Sequence, residues 1–249
     1  MQYIGGKALA SRYIAPLLNT DRKSDQLLWD PFCGGLSVAV RAGGPVLCSD
    51  ACLPLVSLYK AVADGWDPPQ SVTKEEWEAA KLLPDTDPLK AFCGFGCSWL
   101  GNWFWSYARD EKRPDAYARR ARNALLRDVP QLVERGGSFE HCDFFDVEPY
   151  AAEFVLYCDP PYARATRSSR HGTSSATDRK DKASFDHQKF WKRCQEWANF
   201  GVPVFVSESE CPLENALCVW TKYTPTSGGG HKGKSNKQLE CLFFVPEEE

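Results

Sequence analysis

Histidine is scarce in this chain, with four in 249 residues. His141, His171, His187 and His231 show no metal-ligand spacing, and no C-x2-C pair accompanies them, so no metal site and no catalytic histidine is expected. No run approaches the roughly 18–20 apolar residues of a membrane span. The opening Met1-Gln2-Tyr3-Ile4-Gly5-Gly6-Lys7 lacks the charged region and long apolar run of a secretion signal. The expectation is a soluble, cytoplasmic protein with no membrane partner. Cysteine, by contrast, is plentiful. Eleven are spread from Cys33 to Cys241, an odd number, and they read as reduced, mostly buried thiols rather than a disulfide framework.

Positive charge is not in excess either, because the net charge is −3. Its distribution matters more. Three windows, residues 103–127, 163–182 and 222–237, hold 17 of the 30 basic residues but only 5 of the 33 acidic ones. A basic set on an otherwise acidic body is the footprint of a phosphate-binding face. Solvated charged loops would leave the same mark.

At 43% apolar content the chain can bury one substantial α/β core. Apolar residues at Ala10, Tyr13, Ile14, Leu17 and Leu18 follow the period of an amphipathic helix. Leu27-Leu28-Trp29 reads as a buried strand stopping at Asp30-Pro31-Phe32-Cys33-Gly34-Gly35, with a second helix expected from Ser37. Residues 45–50 read as another strand, ending on Asp50. This alternation opens a doubly wound sheet. Residues 65–137 break the rhythm with an acidic helix at 74–83, an aromatic and glycine-rich stretch at 92–105, and a basic helix at 115–127. Strands are expected again at 139–145 and 154–159, a polar loop at 163–184, and a helix capped by Asp186 with Phe185 stapled to Phe190. Strands at 202–206, 217–220 and 239–245 complete the sheet, the last pair as an antiparallel hairpin at its edge.

Asp159-Pro160-Pro161-Tyr162 directly follows the apolar strand. Its chance occurrence in a chain of this length is on the order of one in a thousand. An exocyclic amine is a poor nucleophile because its lone pair is delocalised into the ring. Two acceptors aimed at its hydrogens, the Asp159 carboxylate and the Pro160 carbonyl, would draw that lone pair into a free, sp3-like direction. The prolines stiffen the turn and remove competing N–H donors, and Tyr162 offers a face for stacking an extruded base. An ordinary strand-to-loop turn would use the same letters. Position at a strand's C-terminal end favours the chemical reading.

Three motifs stand in order: Tyr3-Ile4-Gly5-Gly6-Lys7, Asp30-Pro31-Phe32-Cys33-Gly34-Gly35, and Tyr157-Cys158-Asp159-Pro160-Pro161-Tyr162. In that order and spacing the chain resembles the DNA adenine-N6 methyltransferases of the Dam type, and its phage-encoded relatives in particular. The resemblance implies a Rossmann-like methyltransferase fold of residues 1–59 and 138–249 around a mainly helical target-recognition insert, 60–137. It implies S-adenosylmethionine as cofactor and double-stranded DNA as partner, with no obligate protein partner. Tyr3 and Lys7 would contact the methionine end of the cofactor, while Asp30, Phe32 and Gly34 line the turn beneath it. Asp50 would take the ribose hydroxyls, Asp143 and Phe144 would lie beside the adenine, and Asp159 would face both cofactor and target amine. Pro160, Pro161 and Tyr162 complete the catalytic motif.

The glycines of the turn are shifted from the usual family pattern. The insert carries Phe95-Gly96-Cys97-Ser98-Trp99-Leu100-Gly101-Asn102-Trp103-Phe104 in place of the segment associated with GATC sites. Trp99, Trp103, Phe104, Trp105 and Tyr107 are expected mainly in a core, with one or two exposed for DNA. Arg109, Lys112, Arg113, Arg164, Arg167, Arg170, Lys232 and Lys234 are the candidate phosphate contacts, and the loop that also carries Arg179 is expected to order over a flipped base. Cytosine-C5 methylation is disfavoured, because it needs a nucleophilic cysteine, usually after proline, and no Pro-Cys dipeptide occurs. RNA adenine methylation, or a catalytically idle DNA-binding relative, are the alternatives.

Overall fold

The structure is a computed structural model that describes residues 1, 3, 5–162, 185–225 and 237–248. Its centre is a seven-stranded sheet in the order β3-β2-β1-β4-β5-β7-β6. β1 (Leu27–Asp30), β2 (Val46–Asp50), β3 (Ser138–His141), β4 (Phe154–Cys158) and β5 (Val204–Glu208) are parallel. β6 (Leu217–Pro225) and β7 (Lys237–Val245) form an antiparallel pair, with β7 inserted between β5 and edge strand β6. Strand order reverses between β1 and β4, and it is at such a switch point, beyond the carboxyl ends of the strands, that open α/β sheets bind ligands. β4 is buried at every position, the near-continuous apolar run of a strand covered on both faces.

α1 (Ser11–Leu18) and α6 (His187–Asn199) form as their periodicity predicts. Asp186 caps α6 by accepting from the Lys189 N–H at 2.9 Å, and the Phe185 and Phe190 rings stand 5.5 Å apart. On one face of the sheet, Trp29 and Phe154 pack with Phe144 against Phe190 and Trp197 of α6. Trp197 is fully buried, with its ring 5.5 Å from Trp29, and truncating either would cost about 3–5 kcal/mol.

The other face continues into the helical segment. α2 (Leu53–Ala63) runs through residue 60, followed by α3 (Lys74–Ala80), α4 (Pro88–Ala91) and α5 (Ala116–Glu134). Thr73 and Glu76 form a reciprocal capping box on α3. Buried residues of this segment, among them Phe92, Phe95, Leu125 and Val129, belong to one apolar cluster with Leu28, Val46 and Tyr157 of the sheet. The insert therefore has no separate core of its own.

Three expectations fail locally. No helix starts at Ser37: residues 36–42 make only short turns. Leu36 sits at φ 61° and Gly44 at φ 63°, so left-handed residues close in a stretch too short to pay for helix nucleation. The strand expected over 139–145 stops at His141, because the Asp143 carboxylate accepts from the Phe145 N–H at 2.9 Å and starts a single 3-10 turn, Phe144–Asp146. The acidic helix ends at Ala80 rather than residue 83. Gly228-Gly229-Gly230-His231-Lys232-Gly233-Lys234-Ser235, between β6 and β7 in sequence, has the letters of a phosphate-cradling loop. It lies outside the described residues.

Candidate functional site

Three acids mark the carboxyl ends of three adjacent parallel strands: Asp50 on β2, Asp30 on β1, and Asp159 just after β4. Asp30 is 2% exposed, and its Oδ1 has no hydrogen-bond partner among the described residues. Burial holds its carboxyl well above the usual range, and the Asp159 charge pushes further the same way. Asp50 accepts from the Gly34 N–H (3.1 Å) and the Cys52 N–H (2.9 Å). Burial raises its pKa to about 6 against those two hydrogen bonds.

The N-terminal motif folds over this floor. Lys7 Nζ lies 2.6 Å from Asp159 Oδ1, with side chains only 6% and 16% exposed, and 4.5 Å from the centre of the Tyr162 ring. Burial still raises the Asp159 carboxyl, with the Lys7 charge and hydrogen bond opposing it. The Tyr162 hydroxyl is buried and unpartnered among the described residues. Glu240 on β7 is a fourth acid, near this pair: burial raises it, while Lys7 draws it down.

Tyr3 packs on the glycine turn. A Cβ on Gly34 would stand 3.1 Å from the Tyr3 ring, one on Gly35 3.0 Å from the Tyr3 Cβ, and one on Gly6 3.0 Å from the Tyr3 carbonyl oxygen. Backbone at Gly6, Gly34 and Gly35 is thus held where a side chain would crowd it. The Tyr59 hydroxyl donates to the Gly34 carbonyl at 2.5 Å and pins the turn from below.

The sequence motifs therefore converge: Tyr3, Lys7, Asp30, Gly34, Asp50, Asp159 and Tyr162 lie close together at the carboxyl ends of β1, β2 and β4. Phe32 and Phe144 meet each other at 5.5 Å, but Phe144 is buried against Trp29 and Phe190. Asp143 is exposed and spends one oxygen on its 3-10 turn. Sequence reasoning missed the Lys7–Asp159 pair, the Tyr59 brace and Glu240, since nothing local to any of them signals a partner distant in sequence. Pro160 is buried and Pro161 exposed.

In the aromatic stretch, Trp103 and Phe104 are buried, while Trp99 (43%) and Trp105 (48%) are exposed. Tyr107 is half-buried and donates to the Val72 carbonyl. Arg109, Lys112 and Arg113 are exposed beside it. Arg164, Arg167, Arg170, Arg179, Lys232 and Lys234, and the loop expected at 163–184, lie outside the described residues. Among those described, no helix is long and apolar enough to cross a membrane.

The donor set fits a ligand bearing a cation and a diol: an orphaned buried carboxylate oxygen, a second carboxylate at a strand end, and close-approach glycines between them. The family model for D12 class N6 adenine-specific DNA methyltransferases matches residues 3–84, a stretch that contains two of the three motifs but not Asp159. Among solved structures, the chain is similar to SMU.472, described as a proposed methyltransferase complexed with SAH, at 10% identity and a TM-score of 0.37. That alignment takes in 99% of this chain and 56% of the other, so this chain spans little more than half its length. Over residues 3–84 the chain is thus similar to adenine-specific DNA methyltransferases.

Proposed function

We propose that this chain is a Dam-type adenine methyltransferase that methylates the N6 amino nitrogen of an adenine extruded from DNA. The observation that carries the reading is Asp159, held at the end of central strand β4 by buried Lys7 and set directly before a buried Pro160. S-adenosylmethionine, when bound, supplies a methyl group on a sulfonium centre. Lys7 opposes the burial that would neutralise Asp159, keeping the carboxylate an acceptor. With Oδ1 engaged by Lys7, Oδ2 takes one amine hydrogen and the Pro160 carbonyl takes the other. One face of Tyr162 is covered by the Lys7 ammonium, so the target base stacks on the opposite face. Asp30 Oδ1 would hold the cofactor's ammonium and Asp50 its ribose hydroxyls.

Asp50 makes cofactor binding pH-dependent. An ionised carboxylate is the stronger acceptor, and this one titrates at about 6. The dissociation constant for S-adenosylmethionine is expected to be flat above that pH and to rise by up to about tenfold per unit below it. Asp50→Asn should bind weakly with no such step, as isothermal calorimetry between pH 5 and 8 would show. Stability of the free chain moves the other way. A raised carboxyl pKa favours the folded state at low pH, and that contribution is lost as pH climbs through about 6.

Exposed Trp99 and Trp105, with Arg109, Lys112 and Arg113, form the DNA-facing end of the insert in this reading. Replacing the three basic residues by alanine is expected to weaken duplex binding and cut the slope of log affinity against log salt by about 3, roughly 0.9 per phosphate contact. Fluorescence anisotropy across a salt series measures it, and an unchanged slope would move the DNA face elsewhere. The acceptor itself is tested by offering labelled cofactor to duplex DNA, RNA and protein together. Label on DNA supports the proposal; label on RNA keeps the fold and replaces the substrate. Cofactor binding without transfer to any of them would favour an idle DNA-binding relative.

A further inference from the structure

Residues Phe92–Gly96 form a π-helical turn where the insert meets the N-terminal segment, a geometry rare enough that it often marks a functional position. Its glycines are sterically required. A Cβ on Gly94 would stand 2.4 Å from Trp103 and 2.9 Å from Phe104, and one on Gly96 would stand 2.7 Å from the Ala121 Cβ of α5. Phe95, between them and 2% exposed, touches both parts of the molecule. Its ring centre is 4.6 Å from Trp103 in the insert and 5.2 Å from Tyr3. Tyr3 in turn lies against Gly34, whose N–H is bonded to Asp50.

We infer that Phe95 is a positioning residue that sets cofactor affinity by holding Tyr3 against the glycine turn, coupling the insert to the cofactor crevice. The inference rests on the reading of S-adenosylmethionine as the ligand. Tightly packed rings transmit displacement because the interior has no slack. Losing the Phe95 ring lets Tyr3 leave Gly34, and with it the fixed relation between that turn and Asp50. The contact is aromatic in kind, so a tyrosine at the position should restore it while an aliphatic side chain should not.

Calorimetric titration of S-adenosylmethionine into the purified chain tests this without turnover. Phe95→Leu is expected to raise the dissociation constant about five- to tenfold, and Phe95→Tyr to stay within about twofold of wild type. Phe95→Met takes the place of the leucine variant if that one fails to fold. Tyr3→Leu should weaken binding, and adding Phe95→Leu to it should weaken binding no more than about twofold further, because both changes act through one contact. Leu132→Ala, a buried change on α5, should lower the melting temperature and leave affinity unchanged. Phe95→Leu binding as tightly as wild type, or losses that multiply in the double variant, would overturn the inference. A wild-type chain that binds no S-adenosylmethionine would overturn the functional reading and this inference with it.

Discussion

Asp159→Ala is expected to lower methyl transfer by about 10³-fold or more, while duplex DNA binding stays within about threefold. Removing one preorganised polar group that acts only as charge develops typically costs 10²–10³-fold. Asp159 is asked for more than that, because it also fixes the direction of the amine lone pair. Asp159→Asn separates the two contributions. Its carbonyl can still accept a hydrogen bond but carries no charge, so it should retain a measurable fraction of the rate. Single-turnover methylation with the labelled cofactor gives both numbers. A rate for Asp159→Ala within tenfold of wild type would remove this carboxylate from the mechanism.

The same substitution has a second large effect, on stability. Lys7 is 6% exposed and pairs with Asp159 at 2.6 Å, so Asp159→Ala strands a buried ammonium. Breaking a buried pair from one side costs about 3–5 kcal/mol, on the order of 10 °C in melting temperature for a chain of this size. Lys7→Met should cost less. The Asp159 carboxyl, already raised by burial, can take a proton and become neutral, whereas an ammonium sheds its proton far less readily at neutral pH. Combining Lys7→Met with Asp159→Asn removes both charges and should recover more than half of the loss seen for Asp159→Ala. Scanning calorimetry on the wild type, Asp159→Ala, Lys7→Met, Asp159→Asn and the double variant measures it. Additive losses in the double variant would mean that the pair contributes nothing beyond its separate members.

Much of the crevice was legible because its parts are local. Asp30, Asp50 and Asp159 each end an apolar run, and a strand end is recognisable from a handful of neighbouring letters. α6 was legible for the same reason, through its Asp186 cap and the Phe185–Phe190 staple. The failures are local as well. Residues 36–42 have helical composition, but Leu36 at φ 61° and Gly44 at φ 63° interrupt it. A Cβ on Gly44 would stand 2.6 Å from the Ser24 carbonyl oxygen, a contact made by packing and not by propensity. Aromatic density at 92–105 did not say which rings are buried. Positive φ at Leu100 and Phe104 redirects the chain there, leaving Trp103 and Phe104 inside and Trp99 and Trp105 at the surface. Lys7 and Asp159 are 152 residues apart in sequence, and the folding of the N-terminal motif over the end of β4 brings them together.

The central claim is that Asp159 and Pro160 select an exocyclic adenine nitrogen, and the most direct test is the identity of the methylated atom. Unmethylated duplex DNA would be incubated with the wild-type chain and S-adenosylmethionine, digested to nucleosides, and resolved by mass spectrometry against standards. The account predicts N6-methyladenine as the product, absent when Asp159 is replaced by alanine. N4-methylcytosine, a ring-nitrogen methyl, or N6-methyladenine persisting in the Asp159→Ala reaction would contradict it.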